Sequence, residues 1–147
     1  MRKVTIKRGD EETIIDVASA EAWGPVVDEL LKSILPGTVL ALSGELGAGK
    51  TTFVQALARE MHISKPLQSP TFALLKAYDL PVPVNGISRL LHVDAYRIEK
   101  EADLVPLDLD EELADGKSLL VIEWPEKIPQ WIAAHKPKTI AIQIVTI

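Results

Sequence analysis

Short runs of consecutive apolar residues mark the strands of this chain. Residues 39–42 and 119–122 are uninterrupted apolar runs, a pattern typical of strands that are buried on both faces. Residues 72–78 and 89–93 are two further strand candidates. We predict that the proline-containing segment between them, residues 80–86, is an exposed and mobile loop.

The two ends of the chain alternate in polarity, as strands with one buried face do. Residues 4–7 and 13–16 alternate around Arg8-Gly9-Asp10, a turn-forming trio, and therefore predict a hairpin. Residues 139–147 also alternate and predict a final strand, which we place at an edge of the sheet.

Apolar residues at helical spacing predict two helices. The first has Ser19 as its candidate cap, is expected to become regular at Pro25, and ends at Pro36-Gly37. Its apolar face consists of Val26, Val27, Leu30, Leu31 and Ile34. The second begins near Lys50, and its apolar face consists of Phe53, Val54, Leu57, Ala58 and Met61.

The order of these elements predicts an α/β fold. Strands and helices alternate along most of the chain, so we expect a mixed, mainly parallel central sheet that is flanked by helices. Residues 99–113 are acidic and only partly periodic, which leaves a short helix or a surface excursion there. A length of 147 residues matches one domain, and the N-terminal hairpin, residues 1–18, is included in it.

Composition and charge narrow the possible functions. The chain carries 16 basic and 21 acidic side chains, and a net charge of -5 argues against RNA binding by this chain alone. It contains no cysteine, which excludes a disulfide framework, a thiolate zinc site and a thiol nucleophile. The apolar runs are too short to cross a bilayer and the N-terminus lacks a signal-peptide core, so we expect a cytoplasmic protein.

One glycine-rich segment carries a specific chemical signal. Gly44-Glu45-Leu46-Gly47-Ala48-Gly49-Lys50-Thr51 fits the P-loop pattern, and a predicted strand precedes it while a predicted helix follows it. Glycines let successive backbone N–H groups point at phosphate oxygens, and the start of the helix adds partial positive charge. We predict that nucleotide is bound by Glu45, Leu46, Gly47, Ala48, Gly49, Lys50, Thr51 and Thr52.

Acidic residues follow two of the predicted strands. Asp94 comes after residues 90–93, and Glu123 comes directly after the second apolar run. A P-loop enzyme needs such a group to hold metal and water beside the γ-phosphate, and parallel neighbours of the P-loop strand would deliver both to one edge of the sheet. We predict catalytic roles for Lys50, Asp94 and Glu123.

Three other features have weaker signals. Ser69 and Thr71 belong to Ser69-Pro70-Thr71-Phe72, which is either a segment that responds to the γ-phosphate or a plain turn. His92 is more commonly a hydrogen-bonded strand histidine than a base. Trp124 packs either against nucleotide or partner, or simply at the end of its strand.

Four motifs in series resemble those of the TsaE (YjeE) family. They are the P-loop through Thr52, residues 69–72, His92-Val93-Asp94-Ala95-Tyr96-Arg97 and Val121-Ile122-Glu123-Trp124-Pro125-Glu126-Lys127. Their order and spacing also match, and the resemblance runs from about residue 19 to residue 127. Such a series is far more specific than the P-loop alone.

The resemblance implies a bacterial ATPase that supports N6-threonylcarbamoyladenosine modification of tRNA together with the TsaB–TsaD pair. It implies that Thr51 and Glu123 hold Mg²⁺, Lys50 binds the phosphates of ATP, and Asp94 orients or activates water. It also places Thr71 in a nucleotide-responsive segment, and we predict Ser69 and Thr71 as the switch residues. Contact with tRNA is then expected only through the complex.

Three alternatives remain beside the ATPase. A small-molecule kinase would need a second, arginine-rich anion pocket, and the five arginines are scattered. A GTP switch would need an Asn-Lys-x-Asp reader, but Asn85 is the only asparagine and Gly86 follows it. A nucleotide-dependent scaffold with little useful hydrolysis would keep its activity when Asp94 or Glu123 is replaced.

Overall fold

A seven-stranded sheet forms the centre of the protein. The computed structural model describes residues 1–45, 47–64 and 74–147. In chain order the strands are β1 (Arg2–Arg8), β2 (Glu11–Val17), β3 (Val39–Ser43), β4 (Leu75–Val84), β5 (Ile87–Asp94), β6 (Ser118–Glu123) and β7 (Thr139–Thr146). Across the sheet the order is β2-β1-β7-β3-β6-β5-β4. The inner strands β7, β3, β6 and β5 run parallel, while β1, β2 and β4 join antiparallel. The predicted mixed, mainly parallel sheet is confirmed.

Helical segments cover both faces of this sheet. The α-helices are α1 (Trp23–Leu31), α2 (Lys50–Glu60), α3 (Leu109–Leu113) and α4 (Pro129–Ala134), and 3₁₀ turns occupy Ala20–Ala22, Glu101–Leu107, Pro125–Lys127 and Lys136–Lys138. Helices α1 and α2 pack over one core together with Leu40, Leu42 and Leu90. A second core, containing Leu104, Leu109 and Ile128, covers the other face. No helix in the described ranges is long and apolar enough to span a membrane.

The predicted loop at residues 80–86 was wrong. Residues 80–84 belong to β4, and the connection to β5 is the two-residue turn Asn85-Gly86, with φ values of 51° and 81°. Asn-Gly is a strong signal for such a hairpin. Pro81 and Pro83 are tolerated because β4 is an edge strand whose register with β5 shifts between Asp79 and Val84.

The predicted edge position of the last strand was also wrong. Strand β7 lies between β1 and β3 and pairs with both. Its alternating burial reflects one face on the α1–α2 core and one face without such cover, rather than an unpaired edge. The N-terminal hairpin pairs with β7 and leaves β2 at the edge.

The first helix differs from its prediction at both ends, since α1 also ends at Leu31 rather than at Pro36-Gly37. A 3₁₀ turn at Ala20–Ala22 leads directly into α1, which is already regular at Trp23 rather than at Pro25, and the Ser19 side chain makes no capping hydrogen bond. The acidic stretch forms a 3₁₀ helix, Glu101–Leu107, and then α3, so the short-helix alternative is confirmed there.

Candidate functional site

The glycine-rich loop joins the carboxyl end of β3 to the start of α2. Gly44, Gly47 and Gly49 have φ values of 153°, 79° and 112°, which L side chains rarely adopt. A Cβ on Gly44 would lie 2.6 Å from the carbonyl oxygen of Ile144 in β7, so this position has no room for a side chain. The loop thus curls tightly against the sheet and presents the amino end of an 11-residue helix.

Lys50 is buried at the centre of this loop. Only 6% of its surface is exposed, and its Nζ donates hydrogen bonds to the carbonyl oxygens of Gly44 and, at 3.0 Å, of Glu45. Burial lowers the pKa of Lys50, while the negative charges of Glu123, Glu126 and Asp94 oppose that shift. The ammonium group is therefore held by the loop backbone and feels the nearby carboxylates.

Asp94 and Glu123 lie side by side at the carboxyl ends of two parallel strands. The register of β5 and β6 pairs these two residues directly. Glu123 is 4% exposed, whereas Asp94 is half-buried and accepts a hydrogen bond from the backbone N–H of Tyr96 at 3.0 Å. The strand ends deliver both carboxylates to the edge of the sheet that carries the P-loop.

Trp124 covers the lysine from the side of β6. The Lys50 Nζ lies 4.1 Å from the centroid of its ring, a cation–π distance, and the ring of Tyr96 lies 5.0 Å away. Trp124 has a φ of 62° in the left-handed region, and its N–H donates to the carbonyl oxygen of Leu42 at 3.1 Å. This uncommon backbone conformation places its ring on the P-loop lysine rather than only at the end of the strand.

The N-terminal hairpin reaches the opposite side of the loop. Arg2 Nη2 donates to the carbonyl oxygen of Gly47 at 3.2 Å. A cavity of about 200 Å³ lies there, lined by Arg2, Ser19, Trp23, Gly49 and Thr52 among others. The loop is thus contacted by the acidic strand ends on one side and by β1 on the other.

A comparison with known protein families agrees with this arrangement. Residues 17–146 match the family model described as threonylcarbamoyl adenosine biosynthesis protein TsaE. The chain belongs to the TsaE family. The resemblance carried by the four sequence motifs is therefore confirmed.

Individual TsaE relatives show how much of the chain is shared. A protein of Nostoc, named tRNA threonylcarbamoyladenosine biosynthesis protein TsaE, is 35% identical over 133 residues, which cover 88% of this chain and 75% of that protein. A Bacillus subtilis protein of the same name is 39% identical over 99 residues, covering 65% of this chain and 58% of that relative. The crystal structure of Bacillus subtilis YdiB aligns with a TM-score of 0.59 at 26% identity, over 97% of this chain and 78% of that one.

The residues predicted to bind nucleotide lie in the glycine-rich loop and the first turn of α2. Glu45, Gly47 and Thr51 are exposed, Gly49 and Thr52 are half-buried, and Ala48 is buried. Leu46, Ser69 and Thr71 lie outside the described residues. The nucleotide, metal and switch roles predicted for these residues stay predictions.

Two neighbours of the site received no role from the sequence. His92 contacts Glu123 across the strand pair, and Arg2 contacts the loop from β1. The strand-end motif gave a signal for His92, because it lies two residues before Asp94 on the same face of β5. Nothing local identified Arg2, since its position depends on the pairing of β1 with β7.

The donor set fits magnesium held together with a nucleotide. Thr51 offers a hydroxyl and Glu123 a carboxylate, both hard oxygen ligands of the kind that Mg²⁺ prefers. Within residues 1–45, 47–64 and 74–147, no group of three or more His, Asp or Glu side chains converges to hold a metal. Magnesium commonly binds through one or two protein oxygens plus substrate phosphates, so a sparse set is the expected one.

Proposed function

We propose that this protein binds ATP with magnesium and hydrolyses it in support of the TsaB–TsaD complex, which modifies tRNA with N6-threonylcarbamoyladenosine. The observation that carries the proposal is the burial of Lys50 inside the glycine-rich loop, with Glu123 and Asp94 paired in register beside it. A lysine in the glycine-rich loop, with carboxylates at the ends of neighbouring strands, supplies groups that can bind the phosphates, hold the metal and position the attacking water.

Phosphate binding would exchange one set of partners of Lys50 for another. Its Nζ now donates to two loop carbonyl oxygens, and with nucleotide it would donate to the β- and γ-phosphate oxygens instead. The ammonium is charged in both cases, but the phosphate oxygens carry negative charge and the carbonyl oxygens do not, so the exchange adds attraction between opposite charges. The loop N–H groups and the start of α2 would bind the remaining phosphate oxygens.

The two carboxylates would have different roles. Thr51 and Glu123 would hold the magnesium ion, which when bound neutralises charge on the phosphate oxygens. Asp94 would accept a hydrogen bond from the attacking water and align it with the γ-phosphate. Most of the rate increase would come from this positioning and from the positive charge of Lys50, as is usual for phosphoryl transfer.

We expect the isolated protein to turn over slowly. P-loop ATPases and GTPases often gain several orders of magnitude when an arginine stabilises the transferred phosphoryl group. Arg97, three residues after Asp94, or an arginine of the TsaB–TsaD pair would supply it. The net charge of -5 fits a subunit that meets tRNA only through its partners, in the cytoplasm.

Phosphate release with ATP and magnesium, measured with and without the TsaB–TsaD pair, tests the proposal. We expect the pair to raise the turnover rate, and Asp94→Asn and Glu123→Gln each to lower it by about 100-fold while nucleotide still binds. Glu29→Gln is the matched control, because it removes a carboxylate that is 78% exposed on α1. GTP in place of ATP tests the preference for adenine.

Two results would contradict it. Unchanged turnover in both carboxylate variants, with intact function in the complex, would favour a nucleotide-dependent scaffold. If the TsaB–TsaD pair neither bound the protein nor changed its turnover, the assignment to that complex would be wrong even with ATP bound.

A further inference from the structure

His92 is a nearly inaccessible polar residue next to the proposed metal ligand. It is 3% exposed and lies on the same face of β5 as Asp94, two residues before it. Leu90, a further two residues back on that face, is fully buried in the apolar core. Packing alone would be satisfied by another apolar side chain at position 92, so the imidazole needs a different explanation.

The contact of His92 with Glu123 supplies one. His92 Nε2 lies 2.7 Å from Glu123 Oε2, and the two side chains are only 4% and 6% exposed. A carboxylate oxygen accepts, so Nε2 donates its N–H in this bond. The pair occupies the diagonal between the strands, since the register opposite Glu123 belongs to Asp94.

The other ring nitrogen of His92 makes no comparable contact. His92 Nδ1 is buried and has no hydrogen-bond partner among the described residues. A buried nitrogen without a partner costs free energy, which makes histidine an unfavourable choice for packing alone, whereas the bond from Nε2–H to Glu123 offsets part of that cost. The same burial argues against His92 as a general base, because Nε2 is occupied and Nδ1 does not reach solvent.

The geometry points to His92 as a positioning residue: its Nε2–H holds Oε2 of Glu123 so that the other carboxylate oxygen faces the magnesium ion. This inference rests on the proposed function, which makes Glu123 a metal ligand. A glutamate has three rotatable side-chain bonds, and fixing them before the metal arrives removes an entropic cost from binding. Groups that orient a metal ligand in this way typically change metal affinity by about 10–100-fold when they are removed.

Three substitutions distinguish positioning from packing. In His92→Gln the amide nitrogen is at the same bond distance along the side chain as Nε2 and can still donate to Glu123. In His92→Asn the amide nitrogen takes the place of Nδ1 and is too short to do so. His92→Leu keeps bulk and removes every donor. His135→Leu is the matched histidine control, since His135 pairs with Asp110 on the opposite face.

Calorimetry measures the binding of magnesium during a titration at a fixed concentration of a non-hydrolysable ATP analogue. In parallel, the analogue itself is titrated in EDTA. We expect the magnesium midpoint to rise about 10–100-fold in His92→Asn and His92→Leu, and to stay within about threefold in His92→Gln. Affinity in EDTA is expected to be unchanged in all three. If His92→Leu does not fold, the asparagine and glutamine variants still make the comparison.

Each other outcome overturns the inference. A magnesium midpoint unchanged in the asparagine variant, or raised equally in the glutamine variant, would mean that the Nε2–H does not orient Glu123. Glu123→Gln, titrated in the same way, separates the two levels of the argument. If that variant shifts the midpoint and His92→Asn does not, only the positioning role fails; if neither does, the metal assignment of the proposed function fails as well.

Discussion

The two ends of the β5–β6 strand pair differ in how completely their polar side chains are paired. The amino ends carry a closed network of hydrogen bonds and ion pairs. At the amino ends, Arg89 pairs in register with Ser118 and donates to its Oγ at 3.0 Å. The same guanidinium lies 2.8 Å from carboxylate oxygens of Glu112 and Asp115 and donates to the Glu112 carbonyl oxygen. Ser118 in turn donates to Asp115, which closes the network.

At the carboxyl ends, the buried side chains of Lys50 and His92 have fewer charged or hydrogen-bonding partners within the described ranges. Lys50, His92 and Glu123 are each at most 6% exposed. Among the described residues, Lys50 Nζ is hydrogen-bonded to loop carbonyl oxygens and faces the Trp124 ring, and His92 Nδ1 has no hydrogen-bond partner. Burial lowers the pKa of Lys50, so the fold works against its charge there.

The difference is the one expected between a structural network and the proposed nucleotide site. A closed set of partners, as around Arg89, contributes stability and needs nothing further. A buried ammonium whose hydrogen bonds go to neutral oxygens, and a buried imidazole nitrogen without a partner in the described part of the chain, cost stability, and such groups are retained where they serve a ligand. The comparison predicts that substitutions at one end will change stability and that substitutions at the other end will change binding.

Lys50→Ala should have the largest effect. It should weaken ATP binding at the carboxyl ends of the strand pair without lowering the stability of the protein. Losing charge-assisted bonds to two phosphate groups, each contributing about 1.5–3 kcal/mol, is expected to weaken ATP binding by more than about 100-fold. The melting temperature should stay the same or rise, because a desolvated ammonium is removed. Calorimetry and thermal unfolding measure both, with Lys32→Ala as the exposed control. A large drop in stability at unchanged affinity would contradict the comparison.

Arg89→Met should give the reverse result. It leaves Asp115 and Glu112 without their cation, and for this partly buried network we expect a loss of about 2–3 kcal/mol in the free energy of unfolding, with ATP affinity unchanged. Urea unfolding measures the first quantity. Lys32→Met is the control, since its pair with Glu29 is exposed and should contribute under about 1 kcal/mol. Weakened ATP binding in Arg89→Met would show that the two ends are coupled.

The sequence predicted the carboxyl end better than the amino end, for a physical reason. Lys50, Asp94 and Glu123 follow strands or open a helix, and the carboxyl ends of parallel strands meet at one edge, so local motifs determine where they lie. Arg89 and Asp115 come together only because β5 and β6 are neighbours and α3 packs beside them. Arg2 reaches the loop through the register of β1 with β7, which no local pattern encodes.

The errors in the fold have the same origin. Prolines 81 and 83 predicted a loop, but an edge strand does not need every backbone donor, so tertiary position outweighed the local signal. The alternation of residues 139–147 predicted an edge, whereas β7 is internal because the N-terminal hairpin pairs with it. The Asn85-Gly86 turn was visible in the sequence and gave the better signal.

The pH dependence of the free energy of unfolding tests the network around Arg89 at the amino ends of the strand pair. Burial alone would raise the pKa of Asp115, but hydrogen bonds from the Lys117 N–H and the Ser118 hydroxyl, with the Arg89 charge, lower it below its usual range. A lowered folded-state pKa contributes stability in full above the unfolded value of about 3.9, and that contribution is lost as the pH falls through the folded value. In Asp115→Asn, the free energy of unfolding measured in urea should therefore fall less steeply as the pH is lowered from about 5. If it falls as steeply as in the unmodified protein, other carboxylates cause the loss of stability in acid.

Arg2→Ala should have the smallest effect and tests whether β1 belongs to the site. The bond from Arg2 Nη2 to the Gly47 carbonyl oxygen is exposed and 3.2 Å long, so its loss should weaken ATP binding only by about two- to fivefold, or about 0.5–1 kcal/mol. Arg8→Ala is a close control, because Arg8 ends the same strand and donates to Ser33, away from the loop. Equal ATP affinities in the two variants would confine the site to the acidic side of the loop. A weaker affinity in Arg2→Ala alone would extend it across β7 to β1, because Arg2 holds the loop carbonyl between Gly44 and Gly49 while Gly44 itself rests on the backbone of β7.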